Sequence, residues 1–219
     1  MINQIGYYLR TYPRSFLFCL RYLPFRQALR VPILVSRLKI GELHRGDIVF
    51  SSESYRARVI LGFTGTERRD SRSSYISVHK GGKLVLGERV TIARGTTIII
   101  DGAQLQIGND FFCNDDCFFF CNRNITIGEK NLYGWRVEMN TTDGHDIIEN
   151  GVKKEQSKSI HIGNHVWVCA DSHISKGVEI ADDCVVAQRS LVIKKHFTPH
   201  TLIGGVPAQD VKDMIDWRG

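Results

Sequence analysis

The chain lacks any apolar run long enough to cross a bilayer. In its 219 residues the nearest approach is Ser15-Phe16-Leu17-Phe18-Cys19-Leu20, which stops at Arg21 and Pro24, far short of the roughly 20 residues a spanning helix needs. No small-residue cleavage site follows it, so it does not read as a secretory signal. Paired C-x-x-C elements are missing as well. The six cysteines are Cys19, Cys113, Cys117, Cys121, Cys169 and Cys184, and even the Cys113-Cys117-Cys121 series lacks metal-cluster spacing. Reduced thiols in a cytoplasmic protein are expected. Acidic residues are scarce at the start. Residues 1–45 hold Arg10, Arg14, Arg21, Arg26, Arg30, Arg37, Lys39 and Arg45 against Glu42 alone, which leaves 21 of the 29 basic and 22 of the 23 acidic residues for the remainder. The net charge of +6 thus belongs to the N-terminal segment. A near-neutral body with no recognisable nucleic-acid module excludes a general nucleic-acid binder.

What is present suits one globular domain with an appendage: 42% apolar and 24% charged residues. In the appendage, Pro13 can open a helix and Pro24 can close it. Phe16, Cys19, Leu20 and Leu23 then share one side, with Arg14 and Arg21 opposite. A second apolar-basic stretch from Phe25 to Leu38 is broken at Pro32. Such pieces either lie on an anionic membrane surface or pack as an arm on the body or on a neighbouring subunit.

The rest of the chain repeats. Aliphatic residues followed by small or turn-forming ones recur every six positions: Ile162-Gly163, Val168-Cys169, Ile174-Ser175, Ile180-Ala181, Val186-Ala187 and Val192. Earlier runs keep the same step: Leu86, Ile92 and Ile98; Ile107, Cys113 and Phe119; Ile127, Tyr133 and Met139. Three steps make a triangular coil with one short strand per side, its interior filled by these residues and its corners by residues that tolerate tight turns. Cys113 falls on the inward positions and so does Cys117, where a small apolar side chain suffices. Gly87, Gly108, Gly128 and Gly163 mark equivalent corners. Between the last two, seventeen residues beyond one coil are inserted, and the pattern stops at Met139 and restarts at Ile160. A repeat broken once by a long polar loop points to function. An antiparallel sandwich or barrel would show period two with hairpin turns and fits poorly.

Two motifs carry a resemblance: Ile160-His-Ile-Gly-Asn-His-Val-Trp-Val-Cys-Ala170 and Gly204-Gly-Val-Pro-Ala208. With the Asp143-Gly-His145 loop, they resemble the hexapeptide-repeat acetyltransferases, in particular the galactoside and maltose O-acetyltransferases and the capsule or exopolysaccharide O-acetyltransferases. The likeness runs from about Ile76 to Met214. It implies an all-β, left-handed parallel β-helix of hexapeptide repeats over 76–214, with an inserted loop at 140–159. Residues 1–75 carry no such likeness and are expected, from their own patterning, to form a partly helical segment, with a tail at 215–219. It further implies a homotrimer with acetyl-CoA in a groove between subunits, no metal, and an O-acetyl transfer to a sugar or glycan hydroxyl. Peripheral contact of the basic segment with the inner face of the plasma membrane would suit a lipid-linked acceptor.

By the same resemblance His145 is the general base, and a neutral imidazole near pH 7 is suited to that role. Asn114 aligns with an asparagine at the acceptor. Trp167 matches a residue along the pantetheine arm, Cys169 and Ala187 match small positions beside the thioester, and Lys194 and Lys212 match basic contacts to CoA phosphates. Gln209 stands where the family often has a base. Asp143, Asp146 and Glu138 are all near enough in sequence to orient His145. Three rival readings differ: a zinc enzyme of the carbonic-anhydrase type using His161, His165 and His173; a non-catalytic β-helix scaffold; and an acetyltransferase for an amino sugar, an antibiotic or serine.

Overall fold

The computed structural model describes residues 2–51, 58–63, 72–193 and 196–218, with side chains from Arg10 onward. Short strands wind into a three-sided prism. The first face has nine strands, from Ile33–Val35 to Ala208–Lys212; the second has seven, from Leu38–Ile40 to Leu191–Val192; the third has seven, from Ile48–Phe50 to His196–Phe197. Successive coils pair in parallel, and the last strand of the first face turns back antiparallel, with Gly205 opposite Ala208.

The six-residue positions do what the repeat requires. Ile92, Cys113, Tyr133, Val168, Val186 and Ile203 stack up the first face. Ile98, Phe119, Met139, Ile174 and Val192 stack up the second. Leu86, Ile107, Ile127, Ile162, Ile180 and Phe197 stack up the third. All of them are buried. Cys113, Cys117 and Cys121 lie among them as core side chains; the hydrogen bond with Cys113, together with burial, pushes the Cys117 thiol up, and burial pushes Cys121 up.

The glycine corners also stack. The N–H of Gly87, Gly108, Gly128 and Gly163 donates in turn to Ile107, Ile127, Ile162 and Ile180. A Cβ on Gly128 would fall 2.6 Å from the Gly163 carbonyl oxygen, so each coil sits too close for a side chain here. An Asn or Asp side chain just after the corner residue ties several coils together. Asn109 Oδ1 accepts from the Glu88 N–H, Asn164 Oδ1 from Glu129 and Asp182 Oδ1 from Asn164. This gives a physical role to the Gly-Asn of the repeat.

Two expectations need correction. The prism starts at Ile33, not Ile76: Ile33 pairs with Val59 and Val59 with Val90, so residue 76 falls inside the strand Ser74–His79. The long intervals between these early strands hide the six-residue step. Helix α1 spans Ile2–Tyr22 with Pro13 inside it rather than at its start. A proline forfeits one hydrogen bond, and burial of Phe18, Cys19, Tyr22 and Leu23 outweighs that loss. Pro24 does separate α1 from the short helix α2, Phe25–Ala28.

Helix α1 lies across the open end of the prism and satisfies its edge strand. The Val35 N–H donates to Ser15 Oγ at 2.9 Å, Cys19 Sγ donates to the Ile33 carbonyl at 3.5 Å, and Arg14 donates to the Leu38 carbonyl at 3.0 Å. Among the described residues, no helix is long and apolar enough to cross a membrane.

Two substitutions should act in opposite directions. Gly128→Val forces a side chain against the next coil and is expected to lower stability by about 1–3 kcal/mol. The Tyr133 hydroxyl is buried without a hydrogen-bond partner among the described residues. Tyr133→Phe removes that unpaired group and is expected to be neutral or to raise stability by about 1 kcal/mol. Denaturant midpoints measure both.

Candidate active site

One corner of the prism, between the first and second faces, gathers several of the expected residues. Asn114 donates its N–H to Tyr133, Gly134 to Val168, Cys169 to Val186 and Ala187 to Ile203. Asn114, Gly134, Cys169 and Ala187 therefore form one column with a spacing of about 4.8 Å per coil. Their side chains leave the corner nearly bare. The Asn114 carboxamide oxygen is buried and has no hydrogen-bond partner among the described residues, so it contributes nothing to the ladder and remains available to a bound group. Cys169 is half-buried, and desolvation raises its pKa. A thiol held protonated is a poor nucleophile, which favours direct attack on a thioester over a covalent cysteine intermediate.

Beside this column runs a charged one. Arg94 and Asp115 are buried 3.7 Å apart, Arg72 reaches Asp116 at 2.8 Å, and Arg136 grips Asp171 through contacts of 2.6 and 3.0 Å. The Arg136 guanidinium holds the Asp171 carboxyl below the usual carboxylate range. Sequence reasoning missed this corner, because its charges lie a coil or more apart in sequence and no local motif joins them.

The expected cofactor residues divide into two groups. Trp167 lies on the first face two residues before Cys169, and the ladder runs from Trp167 through Val185 and Leu202 to Lys212. Trp167 and Lys212 thus share one row, about 14 Å apart at three strand spacings. Gln209 is exposed on the same final strand. Lys194 lies outside the described residues.

Trp167 has a partner that was not foreseen. Trp217, in the tail, packs against it with ring centroids 5.8 Å apart and stacks on His165 at 4.1 Å. Its indole N–H donates to the His165 carbonyl at 2.8 Å. His165 Nδ1 meets Asp183 at 2.8 Å. A tryptophan in the polar ending Asp216-Trp217-Arg218 was the available signal for a docked tail.

His145 sits elsewhere. Its loop leaves the corner between the second and third faces, so the second face separates it from the Asn114 column. The loop is ordered by the Thr142–Ser157 bridge, by the Asp143 N–H bonded to Gln156, and by a small hairpin of Ile148–Glu149 and Val152–Lys153. His145 is exposed. The three carboxylates considered as its orienter are engaged otherwise: Asp143 with Lys176, Asp146 with Lys153 at 2.9 Å, and Glu138 with His173 at 3.4 Å. Ile147, Ile148 and Val152 at the loop tip are all more than half exposed.

The histidines of the zinc reading do not converge within the chain. His161 is exposed on the third face, His165 is at a corner with Asp183, and His173 is on the second face with Glu138. Among the described residues, no group of three or more potential ligands is placed to hold a metal ion.

Comparison with known proteins agrees with this fold. No protein-family model matches the chain. Galactoside O-acetyltransferase of Escherichia coli K12 is 30% identical over 118 residues, covering 52% of this chain and 57% of that enzyme. The chain resembles the hexapeptide-repeat acetyltransferases. An uncharacterized 24.8 kDa protein in the cps region of Klebsiella pneumoniae is 29% identical over 199 residues, covering 90% of this chain and 86% of that one. A crystal structure of a polysialic acid O-acetyltransferase superposes with a TM-score of 0.50 at 22% identity, over 84% of this chain and 89% of that one. That likeness is one of fold, and the prism is the left-handed β-helix that the resemblance implied.

Trp217→Ala removes the stack on His165 and uncovers the Trp167 indole. The expected result is red-shifted tryptophan emission and a stability loss of about 1 kcal/mol, read by fluorescence and thermal unfolding. Unchanged emission would mean that the tail does not dock in solution.

Proposed function

We propose that the protein transfers an acetyl group from acetyl-CoA to a hydroxyl of a sugar or glycan, at sites formed between copies in a homotrimer. The observation that carries this reading is the Asn114–Cys169–Ala187 column, a bare corner holding one buried carboxamide oxygen with no other work. It fits a thioester and its pantetheine arm because the side chains there are small, and because Trp167 and Lys212 extend along the adjoining row. The galactoside acetyltransferase likeness supports the choice of acceptor.

In this reading acetyl-CoA supplies the acyl group as a thioester. His145 takes the proton of the acceptor hydroxyl as its oxygen attacks, and returns it to the departing sulfur. Asn114 orients the reacting groups with its unladdered carboxamide. Lys212 and Lys194 meet phosphate charge. The second face lies between His145 and Asn114 within one chain, which favours a base supplied by a neighbouring copy. The exposed Ile147, Ile148 and Val152 of the His145 loop give that neighbour an apolar contact.

His145→Ala should lose about 10²–10⁴-fold in kcat while remaining folded, measured with acetyl-CoA and a panel of nucleotide sugars, oligosaccharides and lipid-linked glycans. Asn114→Ala should be similarly impaired in kcat. Co-refolding the two inactive variants should restore about a quarter of the sites, because a closed trimer pairs the intact His145 of one copy with the intact Asn114 of the next. No recovery, with trimers formed, would place both residues in a single-chain site.

A further inference from the structure

We propose that the α1 end of the prism docks on an anionic lipid bilayer and sets how far a membrane-borne acceptor must reach. The partner half of this inference stands alone, and the acceptor half rests on the acetyl-transfer reading. The first 41 residues contain no aspartate or glutamate. One side of α1 is used up on the body by Ser15, Phe18, Cys19, Tyr22 and Leu23. The other carries exposed Arg10, Leu17 and Arg21, residues that share an outward helical face at i, i+7 and i+11. Helix α2 buries Ala28 and exposes Phe25 and Arg26, and Leu29 and Arg30 continue the pattern. Leu17 is 65% exposed and Phe25 63%, which is large for apolar side chains.

Apolar side chains interleaved with arginines fit an interface in which the chains enter the headgroup boundary and the guanidinium groups meet lipid phosphate. A second copy is a poor occupant, because it would bring two faces of the same positive sign together. The body behind the cap is near neutral, so attraction acts at this end alone. In a parallel trimer, three such caps would lie at one end and reinforce one another.

The geometry fixes a height. The strand Ile33–Val35 under α1 lies three strand spacings from the strand Phe112–Cys113 that leads into Asn114. Three spacings are about 14 Å, and the helix adds about 10 Å. The reacting corner therefore stands on the order of 25 Å above the lipid, a reach suited to a glycan of several sugars on a lipid anchor rather than to a headgroup.

A truncation at residue 76 would cut through the prism, so the test uses the full chain with point changes. Co-sedimentation with vesicles of phosphatidylcholine alone, or with added phosphatidylglycerol, should show binding only to the anionic vesicles, weakened by salt. Each arginine at the surface is worth about fivefold in partitioning, so R10Q/R21Q/R26Q should bind about 100-fold more weakly, and L17E/F25E should also lose binding. All variants should keep the wild-type unfolding midpoint. Equal partitioning to neutral vesicles, no partitioning, or binding unaffected by either set overturns the proposal, and so does capture of this end by a protein while vesicles are ignored. Vesicle binding reads no turnover, so its failure leaves acetyl transfer standing. The acceptor arm is read separately: acetylation of a soluble oligosaccharide should be unchanged in R10Q/R21Q/R26Q, while acetylation of a lipid-linked one in vesicles falls. Equal loss on both acceptors would overturn the height argument.

Discussion

The structure depends on coils stacking in exact register. Each face is a parallel ladder in which the same step of successive coils lies one above another, so a residue's neighbours along the prism are set by its place in the coil rather than by sequence distance. A slip of one residue would turn every inward aliphatic residue outward. The corner glycines enforce the register from outside, since their backbones approach too closely for a side chain. The Asn109, Asn164 and Asp182 carboxyl and carboxamide oxygens enforce it again through bonds to the coil before.

The same register turns scattered residues into a site. Asn114, Cys169 and Ala187 are 73 residues apart end to end, yet they occupy one column because each follows the inward residue of the first face in its own coil. Stacking explains why the corner can be bare: the interior is filled by Cys113, Tyr133, Val168 and Val186, and the ladder bonds are made by the backbone. The corner side chains carry no structural burden. The inserted loop lies one face away, and the proposed reaction therefore draws its imidazole from a neighbouring copy.

Much of this was legible in the sequence because the six-residue step is local. The inward set from Leu86 to Val192 could be named from spacing alone, and so could the break after Met139. The start of the prism could not. Val35 and Leu61 stack under Ile92 and obey the same rule, but the long intervals between the first strands leave no repeated step to detect. Pro13 misled for a related reason: a local helix-boundary signal was overruled by tertiary packing of α1 on the first coil. The site was half legible. Small residues at Cys169 and Ala187 follow the repeat, whereas the Arg94–Asp115 and Arg136–Asp171 pairs and the Trp217 stack join residues separated by a coil or more. Which carboxylate orients His145 stayed open in sequence. In the structure Asp143, Asp146 and Glu138 each engage another side chain.

The most direct test of the account is a structure of the assembled protein with coenzyme A. The account requires the pantetheine sulfur beside Asn114 and Cys169 of one chain, facing His145 of an adjacent chain. Coenzyme A bound away from the Asn114–Cys169–Ala187 column, or a column buried against a neighbour with His145 turned to solvent, would contradict it.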